Sequence, residues 1–396
     1  MKTRLAAVGI AASGALILAG CGAANETAPA GGSGSTGGAP AVSGTISGAG
    51  ASTQQAATQA WVAGFQKTNP DATINYDPSG SGAGRTQFIA GGVDWAGSDA
   101  YIKGDEATKA ASRCGGGVVE VPVYVSPIAV VYNLQGVDNL QLAPSTIAKI
   151  FAGKITTWND PAIAADNPGV NLPATAIAPV HRGDKSGTTQ NFTDYLSGAA
   201  KADWPSPVAD TWPIQGGEAA QGTSGVIGAV KGGQGTIGYA DESQAKGLGI
   251  AKVKVGDAWV APSAEGAAKV LESSQRVSDG GDKAFAYKLD RATTAPGAYP
   301  VTLVSYAIAC AKYTDPAKAN LVRAYLGYVV SADGQAAAAS AAGFGPAARI
   351  AGLADHARRP VDHRRRMRPV GPGRAGRAPI TMMTNTRPAL HQRGRR

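Results

Sequence analysis

The sequence is poor in the residues that carry out most acid–base and metal chemistry. Of its 396 residues only four are histidine and three are cysteine, and three of the four histidines follow residue 346. It contains no HExxH, CxxC or GxxxxGK[ST] motif, and Ser186 lacks the strand–turn context of a nucleophile elbow. With His181 as the one imidazole up to residue 346, we expect a protein that is not an enzyme and has no cofactor or metal. A phosphatase or another hydrolase is a distant alternative.

Basic charge is also scarce outside one end of the chain. The whole sequence carries 37 Lys and Arg against 28 Asp and Glu, a net charge of +9. Residues 347–396 hold 13 Arg and two Asp, which is +11, so residues 1–346 sum to −2. Without Lys2 and Arg4, residues 21–346 carry −4. A mildly acidic body argues against a nucleic-acid partner.

The first residues have the parts of a secretory signal. Lys2 and Arg4 precede an apolar run over residues 5–19 that is short for a membrane-spanning helix. The run ends in Leu-Ala-Gly-Cys at residues 18–21, which predicts a signal peptide over 1–20 and a lipidated Cys21. A plain signal with an incidental cysteine is the alternative. Residues 21–43 are rich in Gly, Ala, Ser and Pro and predict a flexible tether.

With Cys21 assigned to lipid, Cys114 and Cys310 are left as a pair in an oxidising compartment. A disulfide is the usual state of such a pair, and a metal site would need more ligands than the sequence offers. We therefore predict a Cys114–Cys310 bridge.

Apolar runs that alternate with helical patterns predict an α/β fold with two lobes and a cleft between them. The predicted strands are residues 118–123, 128–132, 177–180 and 301–309, and the predicted helices are residues 54–67, 146–151, 188–196 and 317–330.

Three segments place glycine with serine or threonine where a strand-like run leads into a helix. They are residues 48–53, 74–89 and 180–196. Each segment alone is explained by helix capping. Together they are also typical of an anion site, because a helix N-terminus presents free N–H donors and partial positive charge, and glycine permits close approach. Arg182, with Asp184 two residues on to hold its guanidinium group, is the candidate cation.

Asp99, in the segment 91–102, is unusual beside an anion because two negative groups repel each other. A protonated phosphate can donate a hydrogen bond to the carboxylate, whereas fully ionised sulfate cannot. This residue therefore favours phosphate over sulfate.

Six stretches, in order over residues 44–346, resemble the phosphate-binding lipoproteins of bacterial phosphate-specific ABC transporters. They are GAGAST (48–53), NYDPSGSGAG (75–84), VDWAGSDA (93–100), IAKIFAGKITTWNDPAIAADNPGVNLP (147–173), HRGDKSGTTQNFTDYL (181–196) and GQGTIGYA (233–240). The resemblance implies a type II periplasmic-binding-protein fold, with two lobes joined by hinge strands around a ligand cleft. We assign residues 44–128 and 297–346 to lobe I and residues 129–296 to lobe II.

The resemblance also implies the phosphate ligands, all but one of which keep the family's residue type. The exception is Thr53, where the family usually has an aromatic residue that donates only its backbone N–H. The implied set is Ser52, Thr53, Ser81, Asp99, Arg182, Ser186, Gly187 and Thr188, with Asp184 in support.

The function that the resemblance implies is high-affinity phosphate binding outside the cell and delivery to the permease of an ABC transporter. We expect an exported monomer, held on the outer face of the cytoplasmic membrane by lipid at Cys21, whose partners are phosphate and the permease subunits. Alternatives are the same fold binding sulfate, molybdate or tungstate, or a surface antigen that binds phosphate.

Residues 347–396 depart from the family, whose chains end in a short amphipathic helix. The segment is rich in Arg, lacks Lys and shows no helical period. We interpret it as a disordered tail, either a frame-shifted reading of the gene or a genuine basic extension that binds anionic lipid or wall polymer.

Overall fold

A computed structural model describes residues 41–277 and 285–342. The predicted signal peptide, the lipidation site at Cys21, all but the last residues of the tether and the Arg-rich tail lie outside the described residues. No helix within the described ranges is long and apolar enough to cross a membrane.

Strands and helices alternate along the chain, as the apolar pattern predicts. The strands are Gly44–Gly50 (β1), Ala72–Asp77 (β2), Trp95–Ser98 (β3), Val118–Asn133 (β4), Gln141–Leu142 (β5), Ala178–Arg182 (β6), Glu218–Ala220 (β7), Thr236–Asp241 (β8), Gly249–Ile250 (β9), Lys252–Val255 (β10), Ala258–Val260 (β11), Gln275–Val277 (β12), Ala286–Lys288 (β13) and Thr302–Cys310 (β14). The helices are Gln55–Gln66 (α1), Ser81–Ala90 (α2), Gly104–Cys114 (α3), Pro144–Phe151 (α4), Pro161–Asp166 (α5), Gly187–Ala199 (α6), Gly222–Gly232 (α7), Ala264–Ser273 (α8), Pro316–Val329 (α9) and Ala332–Ala342 (α10), with 3-10 turns at Ser52–Gln54 and Glu242–Gln244.

One nine-stranded sheet runs through both lobes in the order β2-β1-β3-β14-β4-β8-β6-β7, and β9 pairs with β4. β1 is parallel to β2 and β3 on one side, and β6 is parallel to β7 and β8 on the other. β14 is antiparallel to both β3 and β4, so β4 runs in the same direction as β1, β2 and β3. β8 is antiparallel to β4, so the two parallel groups run in opposite directions and their carboxyl ends face the same central region. Ligands of open α/β sheets bind at such carboxyl ends.

The two strands predicted at residues 118–123 and 128–132 are one continuous strand, β4, which corrects that prediction. Its first part pairs with β14 and its last part, from Ile128, pairs with β8. Pro122 lies beside a register shift in the pairing with β14, and Pro127 lies where the partner strand changes. A proline lacks an N–H donor, so it is tolerated where the ladder is already interrupted. β4 thereby crosses the predicted boundary between the lobes, at residues 128 and 129.

The predicted helix over residues 54–67 is confirmed as α1. Ala57, Trp61 and Phe65 recur every four residues and are buried, and Phe65 packs edge-on against Tyr325 of α9 with ring centroids 5.5 Å apart. A single apolar stripe of this kind stabilises a helix against the sheet that it covers.

The lobe boundaries stay a prediction, and one packing contact bears on them. Ala267 and Val270 of α8, which we assign to lobe II, lie in the same buried cluster as Phe88 and Val93, which we assign to lobe I. Residues that we assign to different lobes therefore share one buried cluster.

The predicted disulfide between Cys114 and Cys310 is confirmed, with a Cα–Cα distance of 5.1 Å. It joins the last residue of α3 to the last residue of β14 and closes a sequence separation of 196 residues. Both cysteines lie in the part of the chain that we assign to lobe I.

Candidate functional site

Each of the three glycine turns predicted from the sequence lies at the carboxyl end of a strand. β1 leads into the 3-10 turn that holds Ser52 and Thr53, and β2 leads through Gly80 to Ser81 at the start of α2. β3 ends one residue before Asp99, and β6 ends at Arg182. The parallel arrangement brings these ends together at the cleft beside β4, so residues far apart in sequence come into contact.

The carboxylate of Asp99 is the centre of this cluster and is 3% exposed. It accepts hydrogen bonds from three hydroxyl groups on three different segments. Thr53 Oγ1 lies 2.8 Å from Oδ1 and 2.9 Å from Oδ2, Ser305 Oγ lies 2.6 Å from Oδ1, and Thr188 Oγ1 lies 3.3 Å from Oδ2. A hydroxyl hydrogen can rotate, so each of these groups can turn toward another acceptor.

Burial raises the pKa of Asp99 above its ordinary value. The hydrogen bonds from Ser305 and Thr53 and the positive charge of Arg182 oppose this rise, because they stabilise the ionised carboxylate. Burial also raises the pKa of Tyr124 well above 10, so its hydroxyl keeps its proton and donates to Thr53 Oγ1 over 3.1 Å. The groups that donate hydrogen bonds to the Asp99 carboxylate are therefore neutral hydroxyls.

The N-terminus of α6 faces Ser81 and Asp99 from the other lobe. Ser186 is its N-cap, and its hydroxyl accepts from the backbone N–H of Thr189 over 3.1 Å, so the capping interpretation holds for this side chain. A Cβ atom on Gly187 would lie 2.6 Å from Ser81 Oγ and 2.7 Å from Asp99 Cβ. Only glycine permits this close approach.

The guanidinium group of Arg182 is buried at the end of β6 and is fixed by Asp184. Arg182 Nε lies 2.7 Å and Nη2 2.5 Å from the two oxygens of that carboxylate, a two-pronged ion pair. Its Nη1 lies 3.4 Å from Thr188 Oγ1, on the side of Asp99. Asp184 also accepts from the backbone N–H of Gly222 over 3.1 Å, which attaches the pair to the start of α7.

Ser52 faces α7 rather than Asp99. Its hydroxyl lies 2.9 Å from Thr223 Oγ1 and accepts from the backbone N–H of Thr223 over 3.0 Å. The N-terminus of α7 is thus the third helix N-terminus at the cluster, and its turn was not predicted from the sequence.

The predicted residues are brought together as one cluster. Hydrogen bonds link Thr53, Asp99, Thr188, Arg182 and Asp184, and Ser81 Oγ accepts from the backbone N–H of Asp99 over 3.1 Å. That they bind an anion stays a prediction.

Three neighbours of this cluster were missed at the level of sequence, namely Ser305, Tyr124 and Thr223. Ser305 and Tyr124 lie inside apolar strands, where a lone polar residue is the only available signal. Thr223 follows a glycine at a helix start, the same signal that identified the other turns.

His181 is the histidine beside the cleft, at the end of β6. His181 Nδ1 lies 3.0 Å from the carbonyl oxygen of Arg182, and its ring stacks on Trp212. Over residues 41–277 and 285–342, no group of three or more His, Cys, Asp or Glu side chains is arranged to hold a metal ion.

Comparison with protein families matches residues 35–333 to the model of the PBP superfamily domain. Phosphate-binding protein PstS 3 of Mycobacterium leprae is 37% identical over 332 residues, covering 81% of this chain and 89% of that protein. Phosphate-binding protein PstS 2 of Mycobacterium tuberculosis is 35% identical over 329 residues, with the same two coverages.

Solved structures give the same fold at lower sequence identity. A high-affinity periplasmic phosphate-binding protein, PfluDING, bound with phosphate at pH 8.5, matches with a TM-score of 0.63 and 22% identity over 78% of this chain and 93% of that one. A substrate-binding protein of a phosphate ABC transporter from Clostridium perfringens matches with a TM-score of 0.55 and 18% identity over 76% and 98%. These likenesses support the two-lobed fold that the sequence predicts.

Proposed function

The chain belongs to the PBP superfamily, within the family of PstS phosphate-binding proteins, and from this membership we propose that it binds inorganic phosphate for uptake by an ABC transporter. The observation that carries the proposal is the buried carboxylate of Asp99, which accepts three hydroxyl hydrogen bonds beside the N-terminus of α6. A site for a multiply charged anion needs hydrogen-bond donors. A single hydrogen-bond acceptor among them selects an anion that carries a proton.

In the proposed site, phosphate oxygens are bound by main-chain N–H groups, hydroxyls and one guanidinium group. The N-termini of α2 and α6 supply N–H donors and partial positive charge, and glycine at 187 allows the anion to come close. Arg182 neutralises part of the charge, and Asp184 keeps its guanidinium group in one orientation. The proposed ligands are Ser52, Thr53, Ser81, Asp99, Arg182, Ser186, Gly187 and Thr188.

Asp99 provides the discrimination between phosphate and sulfate. At neutral pH both common forms of phosphate carry at least one P–O–H group, which donates to a carboxylate oxygen. Sulfate has no proton to donate, so its oxygens would face the carboxylate as two acceptors without a hydrogen between them. The same argument disfavours molybdate and tungstate.

We propose that Thr53 contributes its hydroxyl group to the site as well as its backbone N–H. Its hydroxyl bonds both oxygens of Asp99 and accepts from Tyr124. It thereby orients the carboxylate, a contribution that the aromatic residue usual in the family cannot make.

The named relatives are binding proteins rather than enzymes, which supports a role in transport over hydrolysis. We propose an exported, monomeric protein that delivers phosphate to the permease subunits and is held at the outer face of the cytoplasmic membrane by lipid on Cys21. Mass spectrometry of the protein from membranes, with and without a lipoprotein signal peptidase inhibitor, tests the anchor. Persistence of an unmodified Cys21 would contradict it.

Isothermal titration calorimetry with phosphate tests the binding proposal. The protein is first freed of bound phosphate by unfolding, dialysis and refolding. We expect one phosphate per chain with a dissociation constant in the micromolar range or below. Absence of heat and of retained phosphate in a parallel equilibrium dialysis would contradict the proposed function.

A further inference from the structure

A buried arginine outside the proposed ligand set crosses between the two lobes. Arg85 lies on α2, which packs on β1 and β3 of the first lobe, and it is 3% exposed. Its Nε lies 2.7 Å from Glu106 Oε2 and its Nη1 lies 3.1 Å from Ser98 Oγ, both in the first lobe. Its Nη2 lies 3.1 Å from Asp210 Oδ2, in the loop after α6.

Asp210 is firmly attached to the second lobe. Its carbonyl oxygen accepts from the backbone N–H of Ser186, the N-cap of α6, over 2.7 Å. Its neighbour Ala209 exchanges two hydrogen bonds with the Thr193 hydroxyl on the same helix. Phe192 of α6 in turn stacks on Tyr239 of β8, with ring centroids 4.3 Å apart. The ion pair Arg85–Asp210 therefore joins the first lobe to the helix whose N-terminus faces Asp99.

A second polar contact links α6 to the backbone at Asp99. Asn191 Nδ2 on α6 donates to the carbonyl oxygen of Asp99 over 2.7 Å and to that of Gly187 over 2.9 Å. Its Oδ1 accepts from Nη2 of the buried Arg291 over 2.5 Å. A flipped amide would face the two carbonyls with its oxygen, so these partners fix the orientation of Asn191.

We propose that Arg85, through Asp210, and Asn191, through the Asp99 carbonyl, form a latch that holds the two lobes closed over the anion. The inference rests on the proposed function, since a latch matters only for a cleft that closes on a ligand. Arg85, Asp210 and Asn191 do not belong to the proposed ligand set, so all three are positioning residues. They slow the escape of phosphate and leave its recognition to Asp99 and Arg182.

The mechanism predicts an effect on dissociation rather than on association. Encounter of phosphate with the open cleft does not involve the latch bonds, whereas opening must break them. Truncating one partner of a partly buried charge pair mainly raises the dissociation rate. We expect Asp210→Ala, which keeps the carbonyl that accepts from Ser186, to raise the phosphate dissociation rate about tenfold with the association rate unchanged.

Stopped-flow displacement of phosphate, with an environment-sensitive fluorophore reporting closure, measures both rates. Asp210→Ala, Arg85→Met and the double variant are compared with wild type. The two single variants should raise the dissociation rate by similar factors. The double variant should raise it little further, because all three proteins lack the bond between Arg85 and Asp210. Asn191→Leu should raise the dissociation rate independently of this pair.

The matched control is Glu106→Gln. It weakens an ion pair of the same arginine, but within the first lobe, so we expect a dissociation rate within about twofold of wild type, a change comparable to that of an exposed ion pair. If Glu106→Gln and Asp210→Ala raise the dissociation rate equally, the latch proposal is wrong, and Arg85 acts within its own lobe. Wild-type dissociation rates in Asp210→Ala and Asn191→Leu would also overturn it. Failure of wild type to bind phosphate would instead contradict the proposed function.

Discussion

At the scale of single residues, the site is a cluster of short-range polar contacts with very few full charges. Asp99 accepts from hydroxyls, and Arg182 is paired with Asp184, so neither charge is left without a partner. A buried charge without a partner is costly, and pairing removes most of that cost. The cluster can therefore be buried in the free protein, and we propose that its hydroxyl hydrogens rotate toward the anion when it binds.

Removing the guanidinium group should weaken phosphate binding strongly. Arg182→Ala deletes a charge-assisted contact of roughly 1.5 to 3 kcal/mol, which is about a 10- to 150-fold rise in the dissociation constant. Equilibrium dialysis with labelled phosphate measures it. Arg323→Ala, an exposed arginine on α9, is the control and should bind as wild type does. Unchanged affinity in Arg182→Ala would remove this residue from the site.

The absence of a side chain at Gly187 should be as important as any ligand. An alanine Cβ would lie 2.6 Å from Ser81 Oγ, so Gly187→Ala keeps the lobes from approaching fully and should weaken phosphate binding at least about tenfold. Gly228→Ala on α7 is the matched control, since a Cβ there meets no atom within 4 Å. Calorimetry on both variants tests this, and equal affinities would contradict the close approach.

At the scale of secondary-structure elements, the fold is organised by strand ends. The turns at Ser52, Ser81 and Ser186 were predictable because each combines glycine and serine at a helix start, a signal contained within a few residues. Ser305 was not predictable, because it reaches Asp99 only after β14 has paired with β3 and β4 across 206 residues of sequence. The continuity of β4 was missed for a related reason, since Pro122 and Pro127 resemble strand breaks until the pairing is known.

The disulfide joins α3 to β14, both assigned to lobe I, and should act on stability rather than on binding. Replacing both Cys114 and Cys310 by serine should lower the free energy of unfolding by about 2 to 5 kcal/mol. The reason is that the unfolded chain loses a cross-link between residues 196 positions apart, which restricts its conformations. Urea unfolding of the oxidised wild type and the double variant measures the difference. Phosphate affinity should change less than about threefold, since neither cysteine belongs to the latch or the ligand set. A large loss of affinity with little loss of stability would contradict this assignment.

At the scale of the whole molecule, the described body is a two-lobed protein in which several carboxyl groups are buried. Burial raises the pKa of Asp241, at the end of β8, to about 7, and that of Glu120, on β4, to about 8. The +9 of the full sequence arises from residues 347–396, and the rest of the chain is mildly acidic. Global charge is therefore a poor guide to the ligand, and the local arrangement of donors is a better one.

These buried groups predict a pH dependence of stability. A folded-state pKa above the ordinary values of 3.8 and 4.5 means that the folded chain keeps protons that the unfolded chain has released. The free energy of unfolding should therefore fall as pH rises through the range from about 5 to 8. Urea unfolding without phosphate at several pH values tests this. Glu120→Gln, which keeps an acceptor for the N–H of Ile102, should flatten the curve, and an unchanged slope would assign the effect to other groups.

We propose that Asp99 accepts a hydrogen bond from a P–O–H group of the bound anion, and a competition titration with sulfate measures this directly. Labelled phosphate bound to wild type and to Asp99→Asn is displaced by sulfate at neutral pH. We predict that sulfate fails to compete with wild type at millimolar concentration and competes at least about tenfold better with Asp99→Asn, whose amide can donate to a sulfate oxygen. Equal discrimination between phosphate and sulfate by the two proteins would show that Asp99 does not select the protonated anion.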